Sequence, residues 1–200
     1  MDVMQARRRL LMMQSELPSA YHKVEYLESS GTQRISTHIA FARPAIASVE
    51  LVGYVKSGSG SVMYGFGPTL ASWIGFAKGE DQFRCGDAST AIFPKNIITA
   101  GQRGKFITEW PLTGGTTCTC NGFTAYELAG TDNKQSFELF AAYNGYGALM
   151  RLYGVRLTMP NGSYNFIPCV RKSDSKPGMY DTLTKTFYTN TGTGEFIVPN

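Results

Sequence analysis

From Tyr21 onward, apolar and polar residues alternate with a period of two, the spacing that puts successive side chains on opposite faces of a β-strand. In residues 47–55, Ala47, Val49, Leu51 and Val55 fall on one face, and Glu50, Val52 and Tyr54 on the other. Residues 135–143 send Phe137, Leu139 and Ala141 one way, and residues 149–159 do the same with Tyr153, Val155, Leu157 and Met159. Shorter runs at 62–67, 73–78, 82–86, 103–110, 116–120, 123–128, 164–170 and 185–189 read as further strands. Residues 24–28 and 32–39 flank Ser29-Ser30-Gly31 and read as a strand pair across a turn. Strand and helix do not alternate, which argues against a parallel sheet. The pattern predicts an all-β, two-sheet antiparallel sandwich with Phe137, Leu139, Tyr153, Val155 and Leu157 in its core. The second faces carry Tyr54, Phe140 and Leu152 beside Glu50, Glu138 and Arg156, a mixture that predicts a groove or a covered surface.

The first sixteen residues follow another rhythm. Val3, Ala6, Leu10 and Met13 recur at helical spacing with Arg7, Arg8 and Gln14 between them, and Leu17-Pro18-Ser19 ends the pattern. So short a helix is marginal in water unless it packs on something. The expected organisation is therefore a short N-terminal helix, an anchor and linker over 1–18, and a sandwich over 19–200. Val3, Ala6, Leu10 and Met13 are the candidate assembly contacts, docking on a sister subunit of a homo-oligomer or on another protein.

Composition agrees with strands and turns: 22 glycines, 12% aromatic and only 17% charged residues among 200. The net charge of +4 is mild, and beyond Arg7, Arg8 and Arg9 the cations are scattered among acids, so no nucleic-acid groove is indicated. Cys118 and Cys120 lie two apart on one strand face and Cys85 and Cys169 stand alone, which fits neither paired zinc knuckles nor a local disulfide. Four free thiols in a reducing cytoplasm are expected. Leu10 to Met13 is too short for a secretion signal and nothing is long enough to span a membrane, so synthesis in a cytoplasm is expected.

Two stretches carry a family likeness. Tyr21 to Thr37, through Val24-Glu25-Tyr26-Leu27-Glu28-Ser29-Ser30-Gly31-Thr32-Gln33, resembles the LEYIESTGTQYIDT opening of laminin G-like modules in phages and prophages of gut bacteria. Arg151 to Phe196 is similar to the close of those modules, with Leu152-Tyr153-Gly154-Val155-Arg156-Leu157, Phe166-Ile167-Pro168-Cys169, Gly178-Met179-Tyr180-Asp181, Phe187-Tyr188-Thr189-Asn190 and Gly192-Thr193-Gly194-Glu195-Phe196. Ala6 to Met13 resembles a leader found before them, whereas residues 42–131 match nothing in the family. The resemblance implies a concanavalin A-like jelly roll in a virion protein, made in the bacterial host and partnered by other virion proteins. Physically the shared residues read as fold determinants. Gly192 and Gly194 suit a hairpin turn, Pro168 a strand end or edge, and Asp181 a turn cap.

Catalytic signatures are missing from the sequence. Sandwich glycosidases need paired carboxylates, as in E-x-D-x-x-E, and here Glu25 and Glu28 are three apart on opposite strand faces while Glu109 and Glu138 are single. His22 and His38 have no nucleophile set beside them by any motif, and there is no P-loop, GxGxxG or HExxH. A glycoside hydrolase is accordingly the third reading, behind an attachment module that binds a glycan or partner protein and a purely structural virion component. Candidate ligand contacts are Trp73, Trp110, Tyr143, Asn144 and Tyr146, aromatics for stacking on sugar and an amide for hydrogen bonding. No cofactor is indicated. Asp81, Asp87, Asp132 and Asn133 can supply oxygens to a structural calcium, without a clustered ligand string.

Overall fold

A computed structural model describes residues 16–54, 61–66, 73–76, 83–85, 91–94, 96–126, 136–140 and 148–199. Among them every regular element is a strand, and every pairing is antiparallel. In chain order these are β1 (Tyr21–Lys23), β2 (Leu27–Ser30), β3 (Ile35–Ala40), β4 (Ala45–Tyr54), β5 (Ser61–Phe66), β6 (Trp73–Phe76), β7 (Phe83–Cys85) and β8 (Ala91–Ile92). There follow β9 (Arg103–Trp110), β10 (Thr117–Cys120), β11 (Phe123–Tyr126), β12 (Ser136–Leu139), β13 (Leu149–Met159), β14 (Gly162–Arg171), β15 (Lys176–Asp181) and β16 (Thr186–Thr189). The larger, ten-stranded sheet runs β11-β10-β9-β4-β13-β14-β15-β16, with β1 added to β14 and β2 to β13. The smaller, six-stranded sheet runs β3-β12-β5-β6-β7-β8. One apolar core joins them, fed by Leu27, Val49, Leu51, Phe106 and Leu157 from the large sheet and Ile35, Met63, Phe83, Phe137 and Leu139 from the small one. The protein is an all-β sandwich of two antiparallel sheets.

Alternation explains most of the burial, and its interruptions explain the rest. Strand β9 buries Gly104, Phe106, Thr108 and Trp110 and exposes the residues between. Its one inward hydroxyl, Thr108, takes a hydrogen bond from Tyr64 Oη at 2.8 Å across the sandwich and donates to Cys118 Sγ at 3.4 Å. Strand β13 changes parity midway. Opposite β4, Leu152 pairs with Leu51 and Gly154 with Glu50, leaving Tyr153 as an extra residue in a β-bulge. Met150 and Leu152 therefore face the core before the bulge, and Val155, Leu157 and Met159 after it. This corrects two expectations: Leu152 is fully buried, and Tyr153 stands on the outer face instead of in the core. Phe140 is corrected likewise. Its positive φ of 53° ends β12 so that Leu139 and Phe140 both turn inward, and Phe140 packs on Phe196 at 4.5 Å between ring centroids.

The Ser29-Ser30-Gly31 turn does not close a hairpin. Strand β2 pairs with β13 in the large sheet and β3 with β12 in the small one, so the turn hands the chain from one sheet to the other. Gln33, almost fully buried, organises it. Its Oε1 accepts hydrogen bonds from Ser29 Oγ and Ser30 N, both at 2.9 Å, and its Nε2 donates to Glu195 O at 2.9 Å. Thr193 N bonds Thr32 O, Thr191 N bonds Arg34 O, and the Glu28 and Ile197 backbones bond each other reciprocally. The opening and closing motif stretches thus meet in one corner. Gly194 adopts φ +71° there, but Gly192 is needed for another reason: a Cβ on it would lie 2.2 Å from Thr32 O. Asp181 caps its turn as anticipated, its Oδ1 accepting from Asn165 N and Leu183 N and its Oδ2 from Thr184 N. Strand β15 carries Pro177 and Gly178, which hid it from strand propensity.

The segment 3–13, with Val3, Ala6, Leu10 and Met13, lies outside the described residues, as does the boundary at 18 insofar as it depends on that helix. No helix among the described residues is long and apolar enough to cross a membrane.

Candidate functional site

The large sheet divides at one point. Strands β13 and β14 pair directly from Met159↔Gly162 to Val155↔Phe166 and then separate. Beyond this the N-terminal chain enters between them, β1 pairing with β14 from Lys23↔Cys169 and β2 with β13 from Leu152↔Leu27. Pro168 lies just past the fork, inside a strand and not at the expected end or edge. Its carbonyl accepts Val24 N at 3.2 Å, so its nitrogen also faces the fork, where no β13 carbonyl remains to be paired.

On the outer face this fork opens a groove of about 520 Å³. Gly154, Val155, Phe166 and Ile167 form its bottom, Tyr153 one end, and Lys23, Ser48, Glu50, Lys105, Arg156 and Asn165 its polar walls. Several walls follow from register. Arg156 pairs with both Asn165 and Ser48, and Glu50 pairs with both Gly154 and Lys105, so their side chains share the outer face.

The groove ends on a cluster of arginines, tyrosines and glutamates. The Arg103 guanidinium lies 3.7 Å from the centre of the Tyr153 ring, 2.8 Å from Glu50 and 3.5 Å from Glu25. Arg151 lies over Tyr26 at 4.8 Å and bonds Glu28 at 2.6 Å, and the Tyr26 and Tyr153 rings are 5.5 Å apart. Burial pushes the Tyr153 phenol above its ordinary pKa, against the nearby Arg103 charge. Glu25 and Glu28 were expected on opposite strand faces. Residues 24–26 are not strand, which breaks the alternation, and both carboxylates join this one cluster, each held by an arginine.

The sequence-derived candidates are placed unevenly. Trp110 is fully buried, edge-on to Phe66 at 5.1 Å, and its ring offers no face to a ligand. Its inward position follows from the alternation of β9. Trp73 begins β6, but its side chain, like Tyr143, Asn144 and Tyr146, lies outside the described residues. Of the mixed outer-face residues, Glu50 and Arg156 line the groove and Tyr54 is half-buried at the end of β4. Glu138 instead sits on the small sheet, accepting from Ser36 and Ser136 hydroxyls. Reasoning from sequence missed Tyr153, Lys23, Lys105 and Asn165. The available signal was Gly154 within an apolar strand, a mark of bulges and close approach.

No protein-family model and no curated protein matches this chain.

Titratable clusters elsewhere offer less. His22 is an exposed residue of β1, and His38, at φ 55°, sits where β3 and β12 shift register. Cys118, Cys120 and Cys169 are buried; burial raises the Cys120 thiol to about 11 and the Cys169 thiol to about 12. Cys85 has its side chain outside the described residues. No group of His, Cys, Asp and Glu among the described residues could hold a metal ion, and Asp81, Asp87, Asp132 and Asn133 fall outside them.

Proposed function

We propose that this chain is a non-enzymatic attachment module, a jelly roll of the laminin G-like, concanavalin A-like kind, that fixes a phage or prophage virion to a surface glycan held in the fork groove. The observation that carries this reading is the groove. Its volume lies in the range of ligand sites, roughly 300–1,000 Å³, and its walls bring a tyrosine together with hydroxyl, amide and charged groups. Such a mixture suits a sugar, which presents apolar ring faces and hydroxyl edges at once. The carboxylates nearest the groove, Glu25, Glu28 and Glu50, are each bound to an arginine, which favours holding over hydrolysis. The same reading gives Val3, Ala6, Leu10 and Met13 the task of joining the module to sister subunits or other virion proteins.

A second reading rests on the neighbouring surface. Ile46, Ile107 and Tyr126 remain exposed on the outer side of β4, β9 and β11, and a sister subunit or virion protein could cover them. The module would then be structural and bind no glycan.

One substitution separates the two. Gly154 does not have a positive φ, and an added Cβ would lie 3.5 Å from Phe166 O, an ordinary contact. Gly154→Leu therefore adds bulk to the groove without straining the backbone. Binding of the wild type to purified bacterial surface polysaccharides, lost in Gly154→Leu and leaving the polymers uncleaved, is the expected result. No binding to any polymer overturns the attachment reading and leaves the structural one.

A further inference from the structure

Cations on this surface fall into two groups. Arg103, Arg151 and Arg171 each hold a carboxylate, and each lies over an aromatic ring. Lys23, Lys105 and Arg156 hold none among the described residues, and these three line the groove. They arrive from β1, β9 and β13, elements far apart in sequence that the large sheet brings together. The one acid among the described lining residues, Glu50, bonds Arg103 at 2.8 Å and shares it with Glu25 at 3.5 Å. The described lining therefore carries three cations against one carboxylate and is net positive.

We infer that the groove selects an acidic glycan, a chain whose sugars bear carboxylates. This rests on the reading that the groove holds a glycan, and adds its charge. A planar carboxylate matches the two-pronged donor of Arg156, while Lys23 and Lys105 act as point charges beside it. Asn165 spends its Nδ2 on Thr182 Oγ1 at 2.8 Å, which leaves Oδ1 to accept a sugar hydroxyl, and the Ser48 hydroxyl can serve the same ring. A neutral sugar would leave the three cations uncompensated in its presence. An acidic one replaces their lost water with charge-assisted bonds, so the difference in affinity favours the acid.

The full chain should be titrated calorimetrically at low ionic strength with three tetramers: α-1,4-galacturonate, neutral β-1,4-galactose and glutamate. The galacturonate is expected to bind best, more weakly as salt is added, and about tenfold more weakly in Arg156→Gln and in Lys105→Gln. Lys172→Gln, an equal charge change on the turn after β14 and outside the groove lining, is expected to match the wild type. If neutral galactose binds as tightly, the inference about charge is overturned and the glycan reading stands. Should glutamate bind as tightly as galacturonate with the same dependence on Arg156 and Lys105, the glycan reading is overturned while an anion site remains. Binding of none of the three overturns both. Galacturonate binding untouched by either groove variant moves the site elsewhere and overturns the inference.

Discussion

Two polar regions of this sandwich are built in opposite ways. In the corner where the chain's opening and closing stretches meet, donors and acceptors are spent on one another: Gln33 on Ser29, Ser30 and Glu195, and Asn190 on Arg34, Gly192 and Gly194. In the fork groove, Lys23, Lys105 and Arg156 have no such partner among the described residues. A satisfied network specifies and stiffens a fold, and it leaves nothing for a ligand. An unsatisfied but solvated set costs the fold little and keeps its bonding capacity for something else. The corner is where the molecule closes, and the groove is where it can receive.

The comparison is broken most severely at Gly192. With a Cβ only 2.2 Å from Thr32 O, Gly192→Ala must push two backbones apart. A loss of about 3 kcal/mol or failure to fold is expected in urea unfolding, since overpacking against main chain has no flexible side chain to yield. An unchanged midpoint would mean the corner is not closed this tightly. Gln33→Ala comes next. It leaves Ser30 N and Glu195 O without their partner in a largely buried setting, with an expected loss of roughly 1–3 kcal/mol by the same measurement.

How legible each region was in the sequence follows from the same difference. The corner's residues are turn formers with fixed local roles, so Ser29-Ser30-Gly31, Gly194 and Asp181 could be assigned to turns without knowing the fold. Their partners could not, because Gln33 meets Glu195 only when strands far apart in sequence are already in place. The period of two located β4, β9 and β13 and put Phe137, Leu139, Val155 and Leu157 in the core. It failed where one residue was inserted: the bulge at Tyr153 reverses everything before it in β13. The groove inherits that difficulty. It exists because a bulge turns Tyr153 outward and because β1 and β2 part β14 from β13, and neither event has a signature beyond Gly154 and Pro168. Glu50 and Arg156 were found by alternation alone. Trp110 shows the reverse error, since an aromatic residue at a strand's end carries no mark that tells sugar contact from core.

The buried thiols sharpen the stability side of the comparison. Cys169 and Cys120 keep their protons in the fold to about pH 12 and 11, above the ordinary value of 9.0, chiefly because burial disfavours the thiolate. Below pH 9 both states hold these protons and stability is level. As pH rises past 9 the unfolded chain releases them first, so stability falls toward pH 11–12 by at most about 1.4 kcal/mol per pH unit for each thiol. Urea midpoints from pH 8 to 11 check this, and Cys169→Ala should flatten the decline. In native protein at pH 8, Cys118, Cys120 and Cys169 should resist a thiol reagent that labels them after unfolding.

The smallest expected effect is the one that decides what the groove is for. Lys105 and Arg156 are exposed, make no ion pair among the described residues and share their walls with a third cation, Lys23. If their charges served the fold, removing both would cost stability as breaking the Gln33 network does. If they are held in readiness for a ligand, the fold gains nothing from them and bears a slight mutual repulsion. Arg156→Gln combined with Lys105→Gln should therefore stay within about 0.5 kcal/mol of the wild type in urea unfolding, and any drift should be upward at low salt and vanish as salt is added. A loss comparable to that of Gln33→Ala would show that these cations support the sheet. The contrast between a spent corner and an open groove would then be wrong at its centre.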